Sequence, residues 1–246
     1  NRRIIDHIAD FNLAYTENSR RHLLSEGLHH RRIYLTGSPM NEVLRYYSDK
    51  IENSSILNIL SLESKNFFVV SMHREENVDN PQILRAIISI LNQLAARFDL
   101  PVIVTTHPRS RKRIKAIKDL DLDKRISFLK PFGFLDYVKL QKNALCVISD
   151  SGTIAEEGSI LNLPAVTIRQ AHERPEGMDE TTVIMSGLNK SRVIDAVEVS
   201  TKHNASTNRV IKPVKDYEVD NVSKKIVRII ISYVDYVNRT VWYKEV

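Results

Sequence analysis

Two features of the sequence predict an α/β fold. Short, continuous apolar runs recur through its middle: Phe67–Met72 (FFVVSM), Pro101–Thr106 (PVIVTT), Ala144–Ser149 (ALCVIS) and Pro164–Ile168 (PAVTI). Between them lie stretches whose apolar residues have helical spacing, such as Ile83, Ile87, Ile90, Leu91 and Leu94. Runs without polar alternation belong to strands covered on both faces, and their alternation with helices implies a parallel sheet. Right-handed crossovers then make it a doubly wound, Rossmann-like sheet with helices on both faces.

The elements follow in order. Residues 1–66 read as a helix (Arg3–Ala9), a strand (Asn12–Tyr15), a helix (Asn18–Glu26), a strand (Arg32–Leu35), then Thr36-Gly-Ser-Pro-Met and a polar helix. This is βαβ material, but too little to close a domain, so residues 1–44 are expected to be the C-terminal remnant of a first Rossmann-like domain. Residues 45–66 are expected to be a linker. The main domain, 67–205, continues from the Phe67–Met72 strand into a helix at Gln82–Arg97, the Pro101–Thr106 strand and a short helix at Ser110–Ile117. A strand at Arg125–Leu129, a helix near Phe134–Lys142, the Ala144–Ser149 strand and a helix at Thr153–Leu161 come next. The Pro164–Ile168 strand, a sixth at Thr182–Met185 and a helix near Lys190–Val199 complete it. Residues 206–246 end in a long amphipathic helix, Val219–Tyr243, with Val222, Ile226, Ile229, Ile230 and Val234 on one face. This extension is expected to pack back towards the first domain.

Composition narrows the function. The chain has 246 residues, 42% hydrophobic and 27% charged, with 7 Gly and 8 Pro, which excludes disordered, collagen-like and low-complexity classes. No stretch approaches the roughly 18 consecutive apolar residues of a membrane span. The single cysteine, Cys146, excludes an internal disulfide framework and fits a reducing, cytoplasmic setting. The chain begins at Asn1, directly in helix-like sequence, so its start reads as a cut. Its net charge of +6 admits anionic partners. The basic residues are spread from Arg2 to Lys244, and the densest group (Arg109, Arg111, Lys112, Arg113, Lys115) has no interleaved aromatics. That pattern argues against nucleic acid and a membrane surface, and for a solvated helix face.

Four polar turns follow the apolar runs. Ser149-Asp-Ser-Gly-Thr-Ile-Ala-Glu-Glu157 follows a strand and opens a helix. Ser151 can cap that helix, Gly152 lets a ligand approach the backbone, and the helix N-terminus favours an anion. Glu157, further in, could accept from a ribose diol. Taken alone, the stretch reads equally as an N-cap followed by solvated glutamates. It lacks the Gly pattern and lysine of dinucleotide and Walker sites. Ser71-Met-His-Arg-Glu-Glu-Asn77 places His73 and Arg74 at a strand end, suited to proton transfer and anion pairing. Metal-ligand spacing is absent. Gln170-Ala-His-Glu-Arg-Pro-Glu-Gly-Met-Asp-Glu180 is a charged, irregular loop, and His107-Pro-Arg109 ends a further strand. Together they mark one edge of one sheet as a binding edge.

In this order and spacing, SMHREEN, the HP pair, SDSGTIAEE and HERPEG resemble the non-hydrolysing UDP-N-acetylglucosamine 2-epimerases. The resemblance covers essentially the whole chain, including NRRIIDH and TGSPMNEV. The QAHERPEGMDE stretch with Met185-Ser-Gly187 is similar to the modified-sugar branch, which includes the epimerases of UDP-N-acetyl-L-fucosamine synthesis for capsule and O-antigen. The family resemblance implies two Rossmann-like domains in the glycosyltransferase-B arrangement, 67–205 being the UDP-binding one. It implies inversion at C2 of a UDP-2-acetamido sugar through UDP loss to a glycal and re-addition. No nicotinamide, other cofactor or metal is implied, and a homodimer is.

Carried over by position, His73 falls on the family's active-site histidine. Ser151, Gly152 and Thr153 fall on the diphosphate-binding helix start, Thr153 replacing a more usual glycine. Glu157 falls on the ribose-binding glutamate and Arg174 on the arginine of the ERP motif. Tyr137 stands where a Phe near the uracil is common, while Arg74 and His107 match positions that touch an allosteric UDP-sugar in some members. The family's carboxylates for proton transfer precede the region matched here. The chain is therefore expected to bind the UDP half of the substrate and to be inactive alone. Three alternatives fit the same residues: a hydrolysing epimerase, a glycosyltransferase of this architecture, and a UDP-sugar-sensing domain.

Overall fold

A computed structural model describes residues 1–72, 79–107, 111, 113, 114, 117, 121–171, 174–205 and 208–245. The chain divides into two compact units, 1–46 with 214–246, and 47–213.

In the first unit, α1 (Arg2–Ile8), β1 (Asn12–Ala14), α2 (Glu17–Ser25), β2 (Ile33–Leu35) and α3 (Met40–Tyr46) follow in order. The strands β1 and β2 pair in parallel, Asn12 opposite Ile33. Thr16 caps α2 by accepting from the Ser19 N–H. Residues 214–246 complete this unit. Asp216 accepts from the Glu17 N–H at 2.8 Å through its side chain and from the Ser38 N–H at 3.0 Å through its carbonyl. Gly37 adopts φ +90°, and Val219 packs against its Cα where a Cβ would stand. The terminal helix α11 (Val222–Thr240) is capped from outside by Glu42, which accepts from the Ser223 N–H at 2.9 Å. Tyr233 joins Phe11 and Tyr34, with ring centroids 4.7 and 5.5 Å away.

This helix is shorter than expected, because residues 214–221 are taken up by the clasp and a 3-10 turn. Its inward face also differs. Val222 is buried and Ile226, Ile229, Tyr233 and Val237 are half-buried, whereas Ile230 and Val234 are exposed. An amphipathic stripe wider than the available partner surface leaves its margin in solvent.

The second unit opens with α4 (Ser48–Glu52) and α5 (Ile56–Ile59). Residues 45–66, expected as a linker, thus carry two short helices, with Ile51 and Ile56 buried. The sheet comprises β3 (Phe68–Met72), β4 (Val102–Thr106), β5 (Ile126–Leu129), β6 (Cys146–Ser149), β7 (Ala165–Thr167) and β8 (Ile184–Met185). All pairings are parallel, in the order β5-β4-β3-β6-β7-β8. The connecting helices include α6 (Pro81–Phe98), α7 (Phe134–Asn143), α8 (Ile154–Leu161), α9 (Pro175–Asp179) and α10 (Lys190–Asn204). The expected helix at Ser110–Ile117 lies mostly outside the described residues.

Strand alternation divides the core into two layers. Phe68, Val70, Met72, Val102, Val104, Cys146 and Ile148 meet α6 and α10 on one face. Phe67, Val69, Ile103 and Val147 meet α5, α7 and α8 on the other. Helix α6 shows why the sequence forms this layer. Asn80 accepts from the N–H groups of Gln82 and Ile83, Pro81 stands in the first turn, and Asp99 at φ 54° ends it. It buries six large aliphatic side chains, Leu84, Ile87, Ile88, Ile90, Leu91 and Leu94, each worth about 1.5–3 kcal/mol of apolar transfer. Helices on both faces of a parallel sheet are the fold class expected. No described helix is long and apolar enough to cross a membrane.

Candidate active site

The strand order reverses direction at β3 and β6. From β3 the chain steps outward to β4 and β5, then returns to the other side of β3 for β6, β7 and β8. Ligands of open α/β sheets bind outside the strand C-termini at such a switch point. Here it lies between Met72, the end of β3, and Ser149, the end of β6. His73 and Arg74, which follow β3, lie outside the described residues, as do His172 and Glu173.

The turn after β6 is built by its own hydroxyls. Ser149 Oγ accepts from the Ser151 N–H at 3.0 Å, and Ser151 Oγ accepts from the Thr153 N–H at 3.3 Å. Ser151 Oγ is also 2.9 Å from Thr153 Oγ1. The fully buried Asp150 donates its N–H to the Ser71 carbonyl at 3.2 Å, tying the turn to β3. Ser151 was expected to cap α8; it instead closes the turn one step earlier. Thr153 is the N-cap residue, and its side chain makes no capping bond. The helix therefore begins with its dipole and first-turn amides directed at the strand ends.

Two guanidiniums converge on Gly152. A Cβ added there would stand 3.5 Å from Arg174 Nε and 3.6 Å from Arg169 Nη1. Arg174 opens α9 and is ion-paired with Glu156 of α8. Arg169 stands two residues after the end of β7 and is buried. A bare backbone between two cations at a helix N-terminus is suited to a diphosphate.

Tyr137, Gln141 and Glu157 stand together beside it. Tyr137 and Gln141 are one turn apart on α7, hence on one face. Gln141 Nε2 donates to Glu157 Oε2 at 2.6 Å. Burial pushes the Glu157 carboxyl above the usual carboxylate range, and bonds from Gln141 and Thr153 partly oppose that. Burial and the nearby Glu157 charge push the Tyr137 phenol up, while bonds from Ser71 and Gln141 draw it back. Among the sequence-predicted residues described, Tyr137, Ser151, Gly152, Thr153, Glu157 and Arg174 thus fall at one edge. His107 is exposed at the end of β4, beyond β3 from the switch point.

A cavity of about 790 Å³ opens elsewhere, in the first unit, lined by Phe11, Tyr34, Tyr233 and Arg32 among others. Phe11 and Arg32 precede β1 and β2, so it opens at strand N-termini, the wrong end for a ligand of this sheet type. Among the described residues no group of three or more His, Cys, Asp and Glu could hold a metal ion.

Sequence reasoning missed Arg169 and Gln141. Arg169 was recoverable as the first residue after the Pro164–Ile168 run, at the edge the other motifs marked. Gln141 has no such signal, being an amide within a helical apolar pattern.

The fold is a doubly wound α/β sheet whose switch-point edge carries two arginines beside the Gly152 backbone and a buried acid, Glu157. The UDP-N-acetylglucosamine 2-epimerase family model matches residues 1–231, and the chain belongs to that family. A UDP-N-acetylglucosamine 2-epimerase of Methanococcus maripaludis is 31% identical over 214 residues, covering 85% of this chain and 58% of the relative. The structure of UDP-N-acetylglucosamine 2-epimerase from Rickettsia bellii superposes with TM-score 0.88 at 49% identity, covering 99% of this chain and 65% of that one. The Methanocaldococcus jannaschii UDP-GlcNAc 2-epimerase in complex with UDP-GlcNAc and UDP gives TM-score 0.82 at 30% identity, covering 94% and 64%. The chain therefore spans less than two thirds of the length of these relatives.

Proposed function

We propose that this chain is the UDP-binding part of an epimerase that inverts C2 of a UDP-2-acetamido sugar. The observation that carries this is the pair Arg169 and Arg174 flanking the Gly152 backbone at the start of α8, with Glu157 buried alongside. In this reading the diphosphate lies on the turn 151–153, between the two guanidiniums. Glu157 accepts from the ribose hydroxyls and Tyr137 lies against the uracil. Such a cradle favours the charge that develops on UDP as its bond to the sugar breaks, which is the elimination step. His73, which follows Met72 in the sequence, is proposed to be the histidine that exchanges a proton with the sugar.

The remaining carboxylates for proton transfer at C2 are proposed to lie in the part of the relatives this chain does not match. Exposed Ile4, Ile5 and Ile8 on α1 and Ile230 and Ile231 on α11 support a further covering layer in the active enzyme. The sequence similarity of residues 170–187 favours a modified UDP-2-acetamido sugar of capsule or O-antigen synthesis as substrate.

Titration calorimetry tests the binding part. UDP should bind the chain, and Glu157→Gln should weaken it at least about tenfold, since a charge-assisted bond is lost. Absence of UDP binding refutes the reading. Incubation with UDP-2-acetamido sugars in deuterated water tests the second part: the 246-residue chain alone should show no C2 exchange. Restored exchange with release of free sugar would instead identify a hydrolysing enzyme.

A further inference from the structure

Gln141 is fully buried, a rare setting for a glutamine. Its Nε2 bonds Glu157 Oε2, yet its Oε1 is buried with no hydrogen-bond partner. An aliphatic side chain would fill the same space without leaving an acceptor unmet, so packing does not account for the amide. Its orientation is set by chemistry: reversed, the carbonyl would face the carboxylate. Glu157 carries a soft terminal torsion, and only fixed partners can hold its oxygens in one plane. Those partners come from two elements, Gln141 on α7 and Thr153 at the start of α8.

We propose that Gln141 is a positioning residue: by engaging Oε2 of Glu157 it turns the carboxylate so that Oε1 meets the vicinal diol of a nucleoside diphosphate. This deepens the reading of Glu157 as the ribose-binding group and rests on it. Gln141 itself touches no ligand. Its removal changes how the diol is recognised and leaves the diphosphate cradle of Gly152, Arg169 and Arg174 intact.

The test compares UDP, 2′,3′-dideoxy-UDP and inorganic diphosphate by calorimetry on the protein and its Gln141→Met and Gln141→Leu variants. The unsubstituted protein should prefer UDP over the dideoxy analogue by about tenfold or more. Both variants should lose most of that preference, to within about threefold, while inorganic diphosphate binds as before. Variants that keep the full preference overturn the positioning role and leave Glu157 as the diol ligand. An unsubstituted protein with no preference overturns the ribose reading itself, and this inference with it. Loss of diphosphate binding in both variants also overturns it, since Gln141 would then be supporting the core.

Discussion

Glu156, almost fully buried on α8, is ion-paired with Arg174, the residue that opens α9. The pair fixes one of the two cations beside Gly152 and neutralises an acid that would otherwise repel an anionic ligand. Removing Arg174 takes an opposite charge away from the buried Glu156, so Arg174→Met should cost about 3 kcal/mol in urea unfolding. Adding Glu156→Gln should recover most of that stability but none of the UDP affinity. A double substitution that restores binding would show that Arg174 acts only through its acid.

Gly152 separates stability from binding in the opposite sense. Its virtual Cβ meets Arg174 and Arg169 only at ordinary contact distance, and its backbone φ is not in the left-handed region. Gly152→Ala should therefore unfold at nearly the same temperature as the parent. The methyl group occupies the space between the guanidiniums, so UDP affinity should fall about tenfold or more. Thermal unfolding and calorimetry on one preparation check both halves.

Glu52 gives a pH prediction. Lys139 Nζ stands 2.8 Å from it and Lys142 also pairs with it, and these bonds hold its carboxyl down at about 2. A depressed acid contributes stability that is present above its unfolded value of 4.5 and is lost as pH falls towards 2. Half of the side chain is exposed, which limits the effect to about 0.5–1 kcal/mol. Glu52→Gln should be less stable than the parent at pH 7 by that amount, with the two curves converging near pH 2. Parallel curves in acid denaturation would refute it.

Gly37 joins the chain's two ends within the first unit. It has φ +90°, and a Cβ would stand 2.6 Å from Val219 Cγ2. Gly37→Ala combines left-handed strain with a clash, so a loss above about 2 kcal/mol is expected. Val219→Ala would still leave its Cβ 2.7 Å from the new methyl, so Gly37→Ala is paired with Val219→Gly, which should relieve the clash but keep the backbone strain. Denaturant unfolding of the single and double variants separates the two.

The sheet was legible because its strands are covered on both faces, which leaves continuous runs such as FFVVSM with no polar interruption. The turn at 149–157 was legible as a helix start because Ser and Gly after an apolar strand open a helix, but only its recurrence with other polar turns at the same edge marked it as a site. Pairing between distant residues was not. Nothing local shows that Glu156 is neutralised by Arg174, or that Gln141 faces Glu157 across two helices. The face of α11 was misjudged for the same reason: Ile230 and Val234 fit a helical stripe, but packing selects Tyr233 and Val237. Nor does the sequence of 45–66, expected as a linker, show that Ser54 is anchored to Asp136 at 2.6 Å.

The clasp of residues 214–225 onto the turn after β2 has a consequence for synthesis. The unit 47–213 is one uninterrupted stretch, inserted into a unit whose two parts flank it. As the chain leaves the ribosome, the inserted stretch has all its own strands and can fold at once. The flanking unit must wait for Asp216, Val219 and Glu42's partner Ser223, its loop closed across the whole insertion. Its completion is therefore the late step of folding, when Asp216 takes up the amides of Glu17 and Ser38.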